Sequence, residues 1–214
     1  MINYFPTPQK RCGLLAVLSG PSGSGKTTLY QSLLKEDAMI DFSVSCTTRT
    51  PRENEKDGRD YYFLSEEDFY HKIAADEFLE YAEVHGKLYG TLRSEVENRL
   101  RTGRDVLLDI DVQGAEQVRR RARNTWLHSS VLSIFVLPPD MEQLRHRLSS
   151  RGTEDEKNFE KRLENAREEL KAWQEYDYLI VNQDLQTAEQ DLNAVIRAAR
   201  LAVPLHLQEK TEIQ

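Results

Sequence analysis

The sequence predicts an α/β protein whose core is a parallel sheet flanked by helices. Three observations carry that reading. An apolar run, Leu14-Leu15-Ala16-Val17-Leu18, leads straight into Gly20-Pro21-Ser22-Gly23-Ser24-Gly25-Lys26-Thr27, after which Leu29, Leu33 and Leu34 recur at helical spacing. A second run, Asp105-Val106-Leu107-Leu108-Asp109-Ile110-Asp111, ends in two carboxylates, as suits a buried parallel strand whose C-terminal end meets a ligand. A third, Val131-Leu132-Ser133-Ile134-Phe135-Val136-Leu137, is a core strand stopped by Pro138-Pro139.

Composition narrows the function classes. At 214 residues the chain makes one globular unit, or one core with an inserted subdomain. A net charge of −7 argues against general nucleic-acid binding. Cys12 and Cys46 make no disulfide framework and read as reduced thiols of a cytoplasmic protein. There is no 18-residue apolar run for a membrane span, and residues 1–12 lack a signal-peptide core. The histidines at 71, 85, 128, 146 and 206 show no metal-ligand spacing.

Residues 1–12, with two prolines and no periodicity, read as a loose extension. The stretch from Gly20 to Thr27 fits G-x-x-x-x-G-K-[ST], the phosphate-binding P-loop. Its glycines let successive backbone N–H groups turn toward phosphate oxygens. Lys26 carries a point charge to the β- and γ-phosphates, the Thr27 hydroxyl is placed to ligate Mg²⁺, and the following helix, to about Asp37, turns its N-terminal dipole toward the anion. Beyond a short β-rich run, a proline turn presents Arg49 and Arg52, two guanidinium forks that could clamp a phosphate monoester or simply face solvent. Asp60-Tyr61-Tyr62-Phe63-Leu64 is an aromatic strand, and Ser65-Glu66-Glu67-Asp68 a capping box opening a helix through Phe69 and Ile73.

Phe78-Leu79-Glu80-Tyr81-Ala82 alternates like a half-buried strand, where a glutamate ordinarily faces solvent. A helix over about 94–102 follows. Asp109 is the candidate for holding Mg²⁺, directly or through water, and Asp111 for facing a second substrate; the alternative is that both acids cap the next helix. On that helix Arg119, Arg120, Arg121 and Arg123 form a basic run, read as a solvated face opposite Val112, Ala115, Val118 and Ala122. Asp140 with Gln143 caps a helix whose Met141, Leu144 and Leu148 point inward. Arg147, Arg151 and Arg162 flank the loop 152–156, and a helix 156–175, a strand 178–181 and a helix 186–202 complete the core. From Pro204 the tail is polar and reads as frayed.

Several of these stretches together resemble the guanylate kinase family. They are Val44-Ser45-Cys46-Thr47-Thr48-Arg49-Thr50-Pro51-Arg52, Gly58-x-Asp60-Tyr61-x-Phe63, Glu77-Phe78-Leu79-Glu80, Gly86-x-x-Tyr89-Gly90-Thr91, Leu108-Asp109-Ile110-Asp111-Val112-Gln113-Gly114, Arg151-Gly152-Thr153-Glu154 and Ile180-Val181-Asn182, in that family's order and spacing. The resemblance runs from about residue 14 to 202. Cys46 stands where the family has serine, and the segment around Thr125-Trp126-Leu127-His128 is slightly long. It implies a P-loop NTPase-type core (13–42, 96–149, 164–203) in a domain spanning 13–203, an inserted GMP-binding region (43–95), a helical lid (150–163) and a tail (204–214). It also implies ATP, GMP and dGMP as substrates, with Mg²⁺ as cofactor.

By resemblance, ATP lies on residues from Gly20 to Thr28 with Asn182 near the adenine. Ser45, Tyr61 and Tyr89 join the arginines at the GMP phosphate, while Glu80, Ser45 and Thr91 read the guanine. One carboxylate can accept guanine N1–H and N2–H₂ together, whereas adenine would leave it unpaired. Lys26, Arg49, Arg147, Arg151 and Arg162 would stabilise the transferring phosphoryl group. Two other readings stay open: a catalytically dead relative that binds phosphopeptides, against which the intact P-loop counts, and a sugar-phosphate kinase, against which Glu80 and Thr91 count.

Overall fold

The computed structural model describes residues 11–84, 86–149 and 156–206. In chain order its elements begin with β1 (Leu15–Ser19), α1 (Lys26–Glu36), β2 (Ile40–Phe42), β3 (Cys46–Thr47), β4 (Tyr62–Phe63), α2 (Glu66–Ala74), β5 (Phe78–Val84), β6 (Lys87–Leu92) and α3 (Arg93–Arg101). There follow β7 (Asp105–Asp109), α4 (Val112–Ala122), β8 (Val131–Leu137), α5 (Met141–Ser149), α6 (Glu156–Leu170), β9 (Tyr178–Val181), α7 (Leu185–Arg200) and the short α8 (Val203–His206).

The main sheet has the order β2-β7-β1-β8-β9, parallel throughout. Its apolar runs follow from burial on both faces. Leu14, Ala16 and Leu18 point to one side, against Leu29 and Leu33 of α1 and Leu192 and Ile196 of α7. Leu15 and Val17 point to the other, against Val96 and Leu100 of α3 and Ala115 and Val118 of α4. The strand order reverses at β1, so the crevice beyond the C-terminal ends of β1 and β7 is where such a sheet binds ligands. Two bonds fix that rim: Ile110 N–H to the Leu18 carbonyl at 3.2 Å, and the Ser19 hydroxyl to the Ile110 carbonyl at 2.8 Å.

The second sheet, β4-β3-β6-β5, is antiparallel except for β3 with β4. Phe69 of α2 stacks on Phe78 with ring centroids 4.4 Å apart, and buried Cys46 completes this small core. The Ser65 hydroxyl caps α2 by accepting the Asp68 N–H at 3.0 Å. Gln117 on α4 ties the sheet to the main core, giving its amide to the Tyr81 carbonyl at 2.7 Å and accepting the Tyr81 N–H at 3.2 Å.

Several expectations need correction. Arg11 and Cys12 are anchored: Arg11 bonds Asp105 at 2.7 Å, and the Cys12 N–H reaches the Leu205 carbonyl at 3.1 Å. Leu205, past the expected end of the domain, lies in the core at 1% exposure because α8 folds back onto it. Asp105 is fully buried and also takes Arg200 Nε at 2.6 Å and the Leu14 N–H at 2.8 Å. A buried carboxylate is tolerable only when so compensated, and this one joins the N-terminal segment, β7 and α7. The aromatic strand shrinks to Tyr62–Phe63, Met141 is 38% exposed, and α6 ends at Leu170 with a 3-10 turn over Lys171–Glu175. The basic run on α4 is partly engaged: Arg119 bonds Glu175 and lies over the Tyr176 ring, and Arg121 pairs with Asp76.

Candidate active site

The P-loop links β1 to α1 as a left-handed turn. Gly25, the N-cap of α1, has φ 94°, and a Cβ there would sit 2.1 Å from Asn182 Nδ2, so both conformation and space require glycine. No side chain caps this helix, which leaves its first N–H groups directed at the cavity. Lys26 Nζ sits in the loop's concavity, donating to the Gly20 carbonyl at 2.5 Å and the Pro21 carbonyl at 3.3 Å. The cavity over the loop measures about 300 Å³, and its walls include Ser22, Lys26, Thr27, Asp109, Asp111 and Glu169. Desolvation at this wall raises the Asp109 pKa, opposed by the charge of Lys26.

A second cavity of about 280 Å³ lies against the small sheet, lined by Ser45, Tyr61, Glu80 and Tyr89 and, again, by Asp109 and Asp111. The two cavities therefore share one wall, the C-terminal end of β7. Glu80 is 5% exposed, and its Oε1 accepts the Thr91 hydroxyl at 2.6 Å. Burial pushes its pKa up to about 7; the Thr91 bond pulls the other way, and the charge of Asp111 adds to the rise. A Cβ on Gly114 would lie 2.7 Å from Glu80 Oε2, so that glycine makes room for the carboxylate.

At the far end of this cavity Arg49 lies over the Tyr61 ring at 5.4 Å. Its Nη2 is held by both oxygens of Glu55, at 2.8 and 2.9 Å. Arg52 is exposed, and its backbone N–H also goes to Glu55, at 2.9 Å.

The guanylate kinase family model matches residues 13–199. The guanylate kinase of Thermotoga maritima is 46% identical over 200 residues, 94% of this chain and 93% of its own length. That of Symbiobacterium thermophilum is 48% identical over 193 residues, 90% and 89% of the two chains. The crystal structure of guanylate kinase from Anaplasma phagocytophilum aligns with a TM-score of 0.72 at 36% identity, covering 91% of this chain and 90% of that one. The chain belongs to the guanylate kinase family.

Against that membership, the residues of the two cavities and their surroundings divide into three groups. Ser45, Tyr61, Glu80, Tyr89, Asp109 and Asp111 converge on the second cavity, with Thr91 behind Glu80 and Arg49 beside the tyrosines. Glu80 is not on the solvent face that alternation alone gives it: Phe78, Leu79 and Glu80 are all buried, because a bulge between Phe78 and Glu80 resets the register. Asp111 lines both cavities and also caps α4, its Oδ1 accepting the Gly114 N–H at 2.8 Å, so the helix-capping alternative holds for this acid.

A second group braces the P-loop. Asn182, expected near the adenine, is 5% exposed and gives its amide to the Ser24 carbonyl at 2.8 Å. Arg147 donates to the Asn182 carbonyl at 3.1 Å and reaches the Ser24 carbonyl at 3.4 Å. Arg162 Nη2 stands 3.4 Å from the Ser22 hydroxyl, while Thr27 and Thr28 are exposed at the start of α1. Arg151 and the first part of the expected lid, residues 150–155, lie outside the described residues.

The third group, Glu55, Gly114, Gln117 and Glu169, went unread as functional. Only Glu55 carried a local signal, an acid six residues after Arg49 in a loop short enough to fold back.

Proposed function

We propose that this guanylate kinase-family chain transfers the terminal phosphoryl group of ATP to GMP, giving ADP and GDP, and that it accepts dGMP. The observation that carries the reading is the shared wall. A P-loop cavity and a cavity built around a buried carboxylate meet at Asp109 and Asp111, so two anionic substrates bound in them would face each other. Residues 20–28 take the polyphosphate. Residues 43–95 take GMP, with Arg49, Arg52, Tyr61 and Tyr89 at its phosphate and Glu80, Thr91 and Ser45 at its base. Segment 150–163 serves as the lid.

The acceptor phosphate is its own nucleophile, so no side chain forms a covalent intermediate. The chain's task is alignment and charge compensation, by Lys26 at the loop and by Arg49, Arg147, Arg151 and Arg162 around the reacting groups. Thr27 and Asp109 are the residues that would hold Mg²⁺. A hydroxyl and a carboxylate at the phosphate cavity are hard oxygen donors, and Mg²⁺ needs few protein ligands when phosphates and water complete its shell. Bound there, the ion offsets charge on the phosphates. The free thiols of Cys12 and Cys46 support a reducing compartment, the cytoplasm, and among the described residues no helix is long and apolar enough to cross a membrane.

Lys26→Met tests the division of labour. Turnover should fall by roughly 10²-fold or more, while GMP affinity in calorimetry stays near wild type. Turnover within a few-fold of wild type would refute the assignment of the P-loop.

A further inference from the structure

Glu169 is a carboxylate inside the phosphate cavity. It comes from α6 and lines that cavity together with Ser22, Lys26 and Asp111. Two turns earlier on the same helix, Arg162 reaches the Ser22 hydroxyl at 3.4 Å. One anion and one cation of a single helix therefore stand beside a single residue of the loop.

The packing explains how they could exchange. Leu163 and Ala166 of α6 sit on Leu144 and Leu148 of α5, in a cluster separate from the two that sandwich the main sheet. The loop rests on this cluster, since a Cβ on Gly23 would lie 3.1 Å from Leu144 and 3.3 Å from Leu148. The cavity lining sets three carboxylates, Asp109, Asp111 and Glu169, against the ammonium of Lys26. A polyphosphate adds several negative charges, so a carboxylate facing the loop opposes it. Asp109 is fixed by its strand and Asp111 by its cap on α4, whereas Glu169 stands on a helix seated on its own small cluster.

We infer that Glu169 is a positioning residue that stands in the loop's anion-binding cavity, beside Ser22, until the incoming polyphosphate displaces it, leaving Arg162 as the contact of α6 with the loop. The inference rests on reading this cavity as the ATP site.

Glu169→Gln keeps the size and removes the charge. ATP binding by calorimetry, with Mg²⁺ present, should tighten roughly fivefold, the scale of one partly exposed like charge removed. The KM for ATP should fall with no rise in kcat, GMP affinity should hold, and Glu169→Asp, which restores the charge, should return ATP affinity toward wild type. Weaker or unchanged ATP binding in Glu169→Gln, or equal effects of Gln and Asp, overturns the inference. A measurement on the unaltered protein guards against a folding defect: the Ser22 amide and Glu169 side-chain resonances should both shift when ATP is titrated. A Ser22 amide indifferent to ATP also overturns it. Failure of the underlying reading looks different, because the wild-type protein would then bind no ATP at all.

Discussion

The Glu80 carboxylate receives the Thr91 hydroxyl at 2.6 Å, across a register in which these two residues of β5 and β6 are direct partners. The bond fixes the carboxylate's orientation and occupies one position on Oε1, while Oε2 lies over Gly114. A buried acid held in this way is a reader for paired N–H donors, which guanine offers at N1 and N2 and adenine lacks. The claim that the chain selects guanine rests on this contact more than on either phosphate site.

Glu80→Gln preserves size and replaces one acceptor oxygen by an NH₂ donor. One guanine donor then meets another donor in a buried site. We predict a loss of GMP efficiency of about 10²-fold, from an unpaired buried donor together with lost charge assistance. AMP should lose far less, so the ratio of the two efficiencies should narrow in steady-state assays. Equal losses for both would mean that Glu80 does not read the base.

The pKa of Glu80, near 7 where a free glutamate has 4.5, sets two opposite pH trends. Between those values the folded protein holds a proton that the unfolded chain has released. Stability from this group is therefore fully present below the unfolded value and is lost as pH rises through about 7. Guanine binding needs the ionised form, so GMP affinity should rise about tenfold through this group between pH 6 and 8. The GMP phosphate titrates in the same range, but equally in Glu80→Gln, so the difference between the two calorimetric profiles isolates Glu80. Parallel profiles would contradict the assignment.

Gly114→Ala tests the space beneath the carboxylate. The new Cβ would stand 2.7 Å from Glu80 Oε2 and 3.4 Å from Ile110 Cδ1, so Glu80 must turn away from its Thr91-bonded pose. Alanine also favours helix α4 by about 1 kcal/mol over glycine, which counters a global loss of stability. We predict a KM for GMP raised about tenfold, by about 1.4 kcal/mol, with the KM for ATP unchanged and melting temperature close to wild type. An unchanged KM for GMP would show that Glu80 tolerates the displacement.

What the sequence made legible was local. The strand, loop and helix around Lys26 are contiguous, and the bounds of β8 follow from one apolar run closed by two prolines. The acids ending the β7 run could be placed at a ligand crevice because parallel strands present that end. Glu80 was harder, since a bulge beside Phe78 breaks the alternation that periodicity depends on; only the resemblance pointed inward. Gly114 under Glu80, Gln117 on β5 and Glu169 in the phosphate cavity join distant parts of the chain, and nothing in their own neighbourhoods marks them. The same holds for Arg11 and Arg200 on Asp105, where all three residues look like ordinary surface charges until the fold brings them together.

The most direct test of the guanine assignment is release of ADP from ATP with GMP, dGMP, IMP, AMP, UMP and CMP offered as acceptors in turn. We predict fast turnover with GMP and dGMP, a clear drop with IMP, which keeps N1–H but lacks the N2 amine, and near-background rates with the other three. AMP or a pyrimidine monophosphate turned over as fast as GMP would contradict it.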